Sequence, residues 1–425
     1  MKEPAKYTAK ESAKITAISP AEDRGESIAE MEPLLIGETS RFRGRLTDLT
    51  VDLAQKSARF RGSLPHSLLT SLADLVRAMN CYYSNLIEGH YTHPIDIERA
   101  QKNDYSEDAR KRSLQLEARA HIEVQKWIDE GGLRGRAVTI EGICEVHRRF
   151  CELLPEDLLW IENPESKERI RVVPGELRHR NVKVGRNVPV SPGAVPRFLE
   201  RFSEVYGRLG KTDSIVSAAA AHHRLAWIHP FLDGNGRVAR LLSHAMFLET
   251  LDTGGVWSVA RGLARSEVGN YKEYLAASDA PRRNDLDGRG NLSEEALAAF
   301  TEYFLKVCID QVNFMEGLTQ PQELRGRILS WAEEESKMKN LPPNSGRVLE
   351  AILYRGGEMP RGAVDSATGM SERTAQRIVA AFIDNGVLTS AGPRAPLRLL
   401  FPAALAPRWL PGLYPPPSSL PLSST

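Results

Sequence analysis

The chain has 425 residues, and its 56 Lys and Arg stand against 55 Asp and Glu, a formal net charge of +1. That balance excludes generic polyelectrolyte binding as the default function. With 41% hydrophobic and 26% charged residues the chain can bury real cores, and at roughly 100–200 residues per domain it holds two to four of them. No apolar run reaches the ~18 residues that a membrane span requires, and the N-terminus, MKEPAKYTAKESAK, lacks the basic-then-apolar order of a secretory signal. No membrane association is expected. Cys81, Cys144, Cys151 and Cys308 lack the spacing of a zinc site or redox pair, so a reducing, cytoplasmic location is the simplest expectation.

Residues 1–34 carry few large apolar groups and are expected to form a mobile arm. A helical region, 35–135, follows. Within it Leu68, Leu72, Leu75, Val76, Met79, Tyr83, Leu86 and Ile87 recur at three and four residues. That spacing predicts one amphipathic helix over 66–88, with Gly89 as its stop. A core is expected over 136–320. Its segment 168–190 places Ile170, Val172, Val182 and Val184 around Pro174-Gly175, the pattern of a short hairpin. Helices are predicted at 213–227 and 236–251. His222 lies on the first of these, in an apolar stripe, and reads as a core histidine.

A charged helix from Pro321 to about Lys339 precedes Leu341-Pro342-Pro343-Asn344-Ser345-Gly346, so 321–345 reads as a linker and domain boundary. From 346 to 402 the order is helix, extended piece, helix, turn, helix and two extended runs. That is the order of a winged helix-turn-helix. Arg373 and Arg377 fall on the exposed side of its third helix, where phosphate or base edges could meet them. DNA and a protein partner are both open as ligands. Residues 403–425, rich in Pro and Ser, are expected to form a tail that Trp409 and Tyr414 pin in part.

Chemistry concentrates at His229-Pro230-Phe231-Leu232-Asp233-Gly234-Asn235-Gly236-Arg237-Val238-Ala239-Arg240. Gly234 and Gly236 let the backbone turn and approach a ligand, and the N–H groups of a helix start attract anions. Arg237 and Arg240 are three apart and share a helix face, able to hold two phosphates of one chain. Cations at a helix N-terminus oppose the macrodipole, an exception that a bound polyanion explains. Asp233 is the one carboxylate placed to offer Mg²⁺ an oxygen, and His229 can accept a proton. Together they describe phosphoryl or nucleotidyl transfer.

The segment resembles the signature of the Fic family, HPFxDGNGRxxR, at every specified position, and the similarity spans about residues 60–315. The resemblance implies an all-α core with a small β-hairpin flap, and transfer of AMP from ATP, with Mg²⁺, to a Ser, Thr or Tyr hydroxyl of a target protein. It implies His229 as general base, Asp233 as metal ligand and Phe231 as the anchor of the loop. Asn235 with Gly234 and Gly236 would hold the α-phosphate, and Arg237 and Arg240 the next two. Ser84-Asn85-Leu86-Ile87-Glu88-Gly89 matches the family's inhibitory pattern, which implies that Glu88 pairs with Arg240 and blocks productive ATP binding. Some relatives use this glutamate to help remove AMP, so the resemblance leaves open the alternative that Glu88 positions a hydrolytic water instead. Tyr271 and Tyr274 fall where relatives place groups around the nucleoside. The hairpin matches a flap that aligns target segments by strand addition; the usual Pro-Pro after it is replaced by Val190-Ser191-Pro192. Self-association into a homodimer is compatible with such inhibition. Two alternatives stay open: transfer of another nucleotide or of phosphate, and a DNA-binding regulator whose core senses a nucleotide.

Overall fold

The computed structural model describes residues 14–15, 22–163, 166–184, 187–265 and 271–415. Its helices are α1 (Arg43–Ser63), α2 (His66–Ile87), α3 (Pro94–Gln101), α4 (Ala109–Asp129), α5 (Ile140–Glu152), α6 (Val195–Tyr206), α7 (Lys211–Ile228) and α8 (Asn235–Leu251), then α9 (Ala260–Ala264), α10 (Tyr271–Ala277), α11 (Glu294–Leu318), α12 (Pro321–Lys337), α13 (Ser345–Tyr354), α14 (Val364–Thr368), α15 (Glu372–Asp384) and α16 (Ala406–Trp409). Short strands accompany them: β1 (Lys14–Ile15), β2 (Trp160–Glu162), β3 (Arg169–Arg171), β4 (Val182–Lys183), β5 (Glu358–Met359), β6 (Leu388–Thr389) and β7 (Leu397–Leu399). The chain is all-α in class with a small hairpin. No helix among the described residues is long and apolar enough to cross a membrane.

Helices α7 and α8 form the centre. Four consecutive alanines of α7, Ala218 to Ala221, are all buried, as a helix packed on every side requires. Helix α8 lies along it, α11 packs on α7 and α1, and α2 packs on α4 and α9. Helix α2 stops where the sequence stops it. Gly89 takes φ 77°, its N–H bonds to Leu86 O at 3.0 Å, and His90 N–H bonds to Asn85 O at 2.8 Å. This is a Schellman closure, and it leaves Glu88 at the helix terminus.

The hairpin differs from its expected position. It is β2 with β3, in the register Trp160↔Arg171, Ile161↔Ile170 and Glu162↔Arg169. The segment after Pro174 does not fold back on β3, because the side chain of His147 and the backbone at 229–230 hold it. Gly175 N–H donates to His147 Nδ1 at 2.9 Å, and Arg178 N–H to Pro230 O at 2.8 Å. Val182 and Lys183, expected as the returning strand, pair instead with β1, Ile15↔Val182 and Lys14↔Lys183.

Part of the expected mobile arm is packed. Met31 and Leu34 are buried, and the Glu26 carboxylate accepts from the backbone and hydroxyl of Ser191 at 2.7 and 2.6 Å. Burial opposes charge on Glu26, yet the Ser191 hydroxyl and neighbouring backbone bonds win and hold its carboxyl down at about 2. Residues 1–13 and 16–21 lie outside the described residues. The tail is likewise packed as far as 415: Trp409, Leu410 and Leu413 are buried, and Leu413 O accepts from the Tyr83 hydroxyl at 2.8 Å. Three apolar side chains within five residues outweigh the Pro content there.

Helices α13, α14 and α15 pack with a three-stranded antiparallel sheet of order β5-β7-β6. Strand β5 occupies the extended piece expected between the first two helices; Gly356 and Gly357, at φ 78° and 94°, turn the chain into it. This unit lies on α2: Leu399 O accepts from the Ser71 hydroxyl at 2.6 Å, and Gly356 O from Ser67.

Candidate active site

The loop between α7 and α8 gathers the signature residues. His229 caps α7 in the left-handed region, φ 53°, a conformation uncommon for a non-glycine residue and one that collects at functional sites. Arg178, 2% exposed, reinforces the turn: its guanidinium donates to His229 O at 2.7 Å and to Val190 O and Ile228 O. Phe231, fully buried, stacks on His147 with ring centroids 3.9 Å apart and planes 6° from parallel. Asn235 closes the loop from inside, its amide oxygen accepting from Phe231 N–H at 2.9 Å and its amide nitrogen donating to Phe231 O at 2.8 Å. The side chain expected on an α-phosphate is thus engaged in holding the loop. Gly234, at φ 80°, permits the turn into α8.

Burial in the loop, with Arg178 nearby, pushes the His229 imidazole down to about 4. The ring is therefore neutral at pH 7. Its Nδ1 lies 3.3 Å from Ala226 O; with the proton on Nδ1 for that bond, Nε2 carries the lone pair.

Glu88 comes to this loop from the end of α2. Its Oε1 accepts from Arg240 Nη2 at 2.6 Å, while Arg240 Nε donates to the Ser84 hydroxyl at 2.9 Å. Ser84 and Glu88, four residues apart, therefore grip one guanidinium. A Cβ on Gly236 would stand 2.5 Å from that same Glu88 oxygen. Glycine at 236 leaves the carboxylate room to rest on the first turn of α8, where unpaired N–H groups attract anions. Partial burial favours the neutral acid, but Arg240 and Arg237 outweigh it and hold the carboxyl below its ordinary range.

Arg237 is 6% exposed and donates to Glu117 Oε2 at 2.9 Å. His90 Nδ1 approaches the same oxygen at 2.8 Å. Sequence reasoning missed Glu117, His90, Arg178 and His147. Helix α4 sends Glu117, His121, Gln125 and Asp129 at successive intervals of four into the interior between α2 and α8. Gln125 accepts from Asn80 at 2.6 Å, and Asp129 bonds Arg77 at 2.8 Å and His244 at 2.6 Å. This is a buried polar seam.

Asp233 is partly exposed in the loop, and among the described residues no three His, Cys, Asp or Glu side chains come together as a metal cage. The residues fit Mg²⁺ only in the manner of a phosphate-borne ion, with one carboxylate oxygen from the protein and the rest from phosphates and water. Tyr271 is buried against the site, its hydroxyl 2.5 Å from His222 Nε2, and His222 Nδ1 lies 2.8 Å from the Ser243 hydroxyl. His222 is thus a satisfied core residue. Tyr274 stacks on Tyr303 at 4.4 Å and 11°, partly buried, its ring occupied by that packing. Arg373 and Arg377 are both exposed on α15, away from this loop in sequence and on the C-terminal unit.

Three comparisons bear on this site. The model of the Fic/DOC family matches residues 137–247. Among curated proteins, the protein adenylyltransferase Fic of Drosophila ananassae and that of Drosophila willistoni are each 32% identical over 125 residues, 29% of this chain and 22% of theirs. The match therefore spans about a fifth of those relatives' length. Among solved structures, a Fic family protein from Desulfovibrio desulfuricans G20 aligns at TM-score 0.49 and 15% identity over 86% of this chain and 98% of its own. Fic-1 (aa134 - 508) from C. elegans aligns at 0.46 and 19% over 65% and 73%. Residues 137–247, which hold the His229 loop and most of α8, form a Fic/DOC family domain.

Proposed function

We propose that the chain is a protein adenylyltransferase that moves AMP from ATP to a Ser, Thr or Tyr hydroxyl of a target protein and that Glu88 inhibits it. The observation that carries the reading is the seat of Glu88, a carboxylate on the first turn of α8 and on Arg240, where an anionic substrate group would bind. The neutral His229 takes the proton of the acceptor hydroxyl; the hydroxyl oxygen bonds to the α-phosphorus, and the bond to pyrophosphate breaks. Arg237 and Arg240 balance the charge that gathers on the leaving group. Asp233 would hold Mg²⁺, which when bound neutralises phosphate charge. The names of the Drosophila relatives support AMP as the group transferred.

The edge of β4, four residues past Arg178, is where a target segment would add as a strand. In this structure Lys14–Ile15 lies on it. We assign 346–402 as a winged helix with Arg373 and Arg377 facing a DNA or protein partner. A nucleotide-sensing DNA regulator is the second reading, and the exposed arginines of α15 favour it.

The test incubates wild type, Glu88→Gly and His229→Ala with Mg²⁺ and ATP labelled on the α-phosphate. Label is expected on protein with Glu88→Gly, at least about ten-fold less with wild type, and none with His229→Ala. Transfer of γ-label instead would make the enzyme a kinase. If neither transfers, even with lysate as acceptor, the regulator reading takes its place.

A further inference from the structure

Both arginines that follow the loop are buried, but different elements hold them. Arg240 meets Ser84 and Glu88 of α2. Arg237 meets Glu117 of α4, and its Nε is buried without a hydrogen-bond partner. That orphan donor is the atom a ligand oxygen would satisfy. The guanidinium carbon also lies 5.2 Å from the centre of the Phe150 ring, so packing closes one face of the group. What fixes its rotation in plane is the bond from Nη2 to Glu117 Oε2. That oxygen is fixed in turn by His90, whose Nδ1 is 2.8 Å away. Arg237 Nη2 and His90 Nδ1 stand 3.2 Å apart because both donate to one acceptor, which places the His90 proton on Nδ1.

We propose that Glu117, itself oriented by His90, is a positioning residue that turns Arg237 so that its Nε faces the second phosphate of the bound nucleotide. This rests on the nucleotide reading of the site given above. The arrangement also ties the site to the end of α2: Glu88 and His90, two residues apart, reach Arg240 directly and Arg237 through Glu117. A charged guanidinium held rigidly makes a charge-assisted bond at less entropic cost than one that must be ordered on binding. Glu117 touches neither the nucleotide nor the acceptor in this scheme, and its effect runs wholly through Arg237.

The test compares ADP with AMP, which differ by the phosphate in question, by calorimetry on the full chain carrying Glu88→Gly. That variant should prefer ADP; if it binds both alike, or neither, the nucleotide reading itself fails. Given that preference, Glu117→Ala should reduce it by about ten-fold or more, the worth of one positioned charge-assisted bond, with AMP affinity unchanged. Glu117→Gln, which keeps an acceptor oxygen in place, should retain most of the preference. Adding Glu117→Ala to Arg237→Ala should change nothing further. Should Glu117→Ala not fold, Glu117→Asp, which withdraws the oxygen by one methylene, replaces it with the same expectation. An unaltered ADP preference in Glu117→Ala, an increase in it, or an equal loss in the Arg237→Ala background would each overturn the proposal.

Discussion

Helices α8 and α15 each carry a pair of arginines one turn apart, and the two pairs live in opposite environments. Arg237 and Arg240 are 6% and 2% exposed and already matched by Glu117 and Glu88. Arg373 and Arg377 stand in solvent on the far side of the stripe that Ile378, Val379 and Phe382 bury. A buried guanidinium must have acceptors, and Arg178 finds carbonyls where Arg237 and Arg240 find carboxylates, so this pair marks a place built to receive anionic oxygens. A solvated pair demands nothing and reports only a surface that other molecules can reach. The same residue type at nearly the same spacing thus carries two kinds of information, and burial decides which.

The largest effect expected of breaking the buried side lies at the far end of the α4 seam. Asp129 stands between Arg77 and His244, with side chains 10%, 11% and 2% exposed. Asp129→Ala removes the acid that Arg77 and His244 share and leaves Arg77 with Asp74 alone, which costs about 1.5–3 kcal/mol. Denaturant midpoints check this, and a loss under about 1 kcal/mol would mean that water reaches the seam.

A smaller effect sharpens the comparison through pH. Burial lowers His229 to about 4. The base must be neutral, so kcat/KM of Glu88→Gly should stay flat from pH 8 down to about 5 and fall only toward 4. An ordinary imidazole, near 6.5, would already have lost roughly thirty-fold at pH 5. An acid limb near 6.5 would place His229 in water rather than in the packed loop. Stability has the opposite requirement to watch. His147, about 4, and His121 and His222, about 3, are also depressed by burial. The unfolded chain therefore binds more protons below pH 6.5, and the stability these residues contribute is whole above 6.5 and falls as pH drops through that range. Circular dichroism at each pH separates loss of base from loss of fold.

Much of this was legible in the sequence, and the reasons differ by element. The periodic apolar residues of α2 and α8 gave those helices to within a residue or two. The loop was legible because each of its residue types has a local reason: Gly234 for its positive φ, Gly236 for the approach of Glu88. The hairpin was misplaced because alternation of Ile170, Val172, Val182 and Val184 says which residues are buried, not which strand each one meets. Glu117 was invisible for a related reason. Its interval of four with His121, Gln125 and Asp129 is also what a solvated helix face shows, and only packing turns that face inward. Residues 22–34 were misread as mobile because Glu26, Arg24 and Ser191 hold them by polar bonds between segments some 165 residues apart, which composition cannot register.

The smallest effect belongs to α15. Arg373→Ala and Arg377→Ala should each leave stability within about 0.5 kcal/mol of wild type, because neither side chain is buried. Any consequence must then come from a partner. The segment 345–400 carries seven Arg against five acids, a net of +2, so DNA binding, if present, should be weak and fall steeply between 50 and about 200 mM salt. Each substitution should lower the slope of log affinity on log salt by about one, the signature of one phosphate contact. Binding of duplex DNA that ignores both substitutions would move the contact to another face. No binding at low salt would remove DNA as the partner of the exposed pair and leave this unit to partner docking or to a structural role on α2, on which it rests through Ser67 and Ser71.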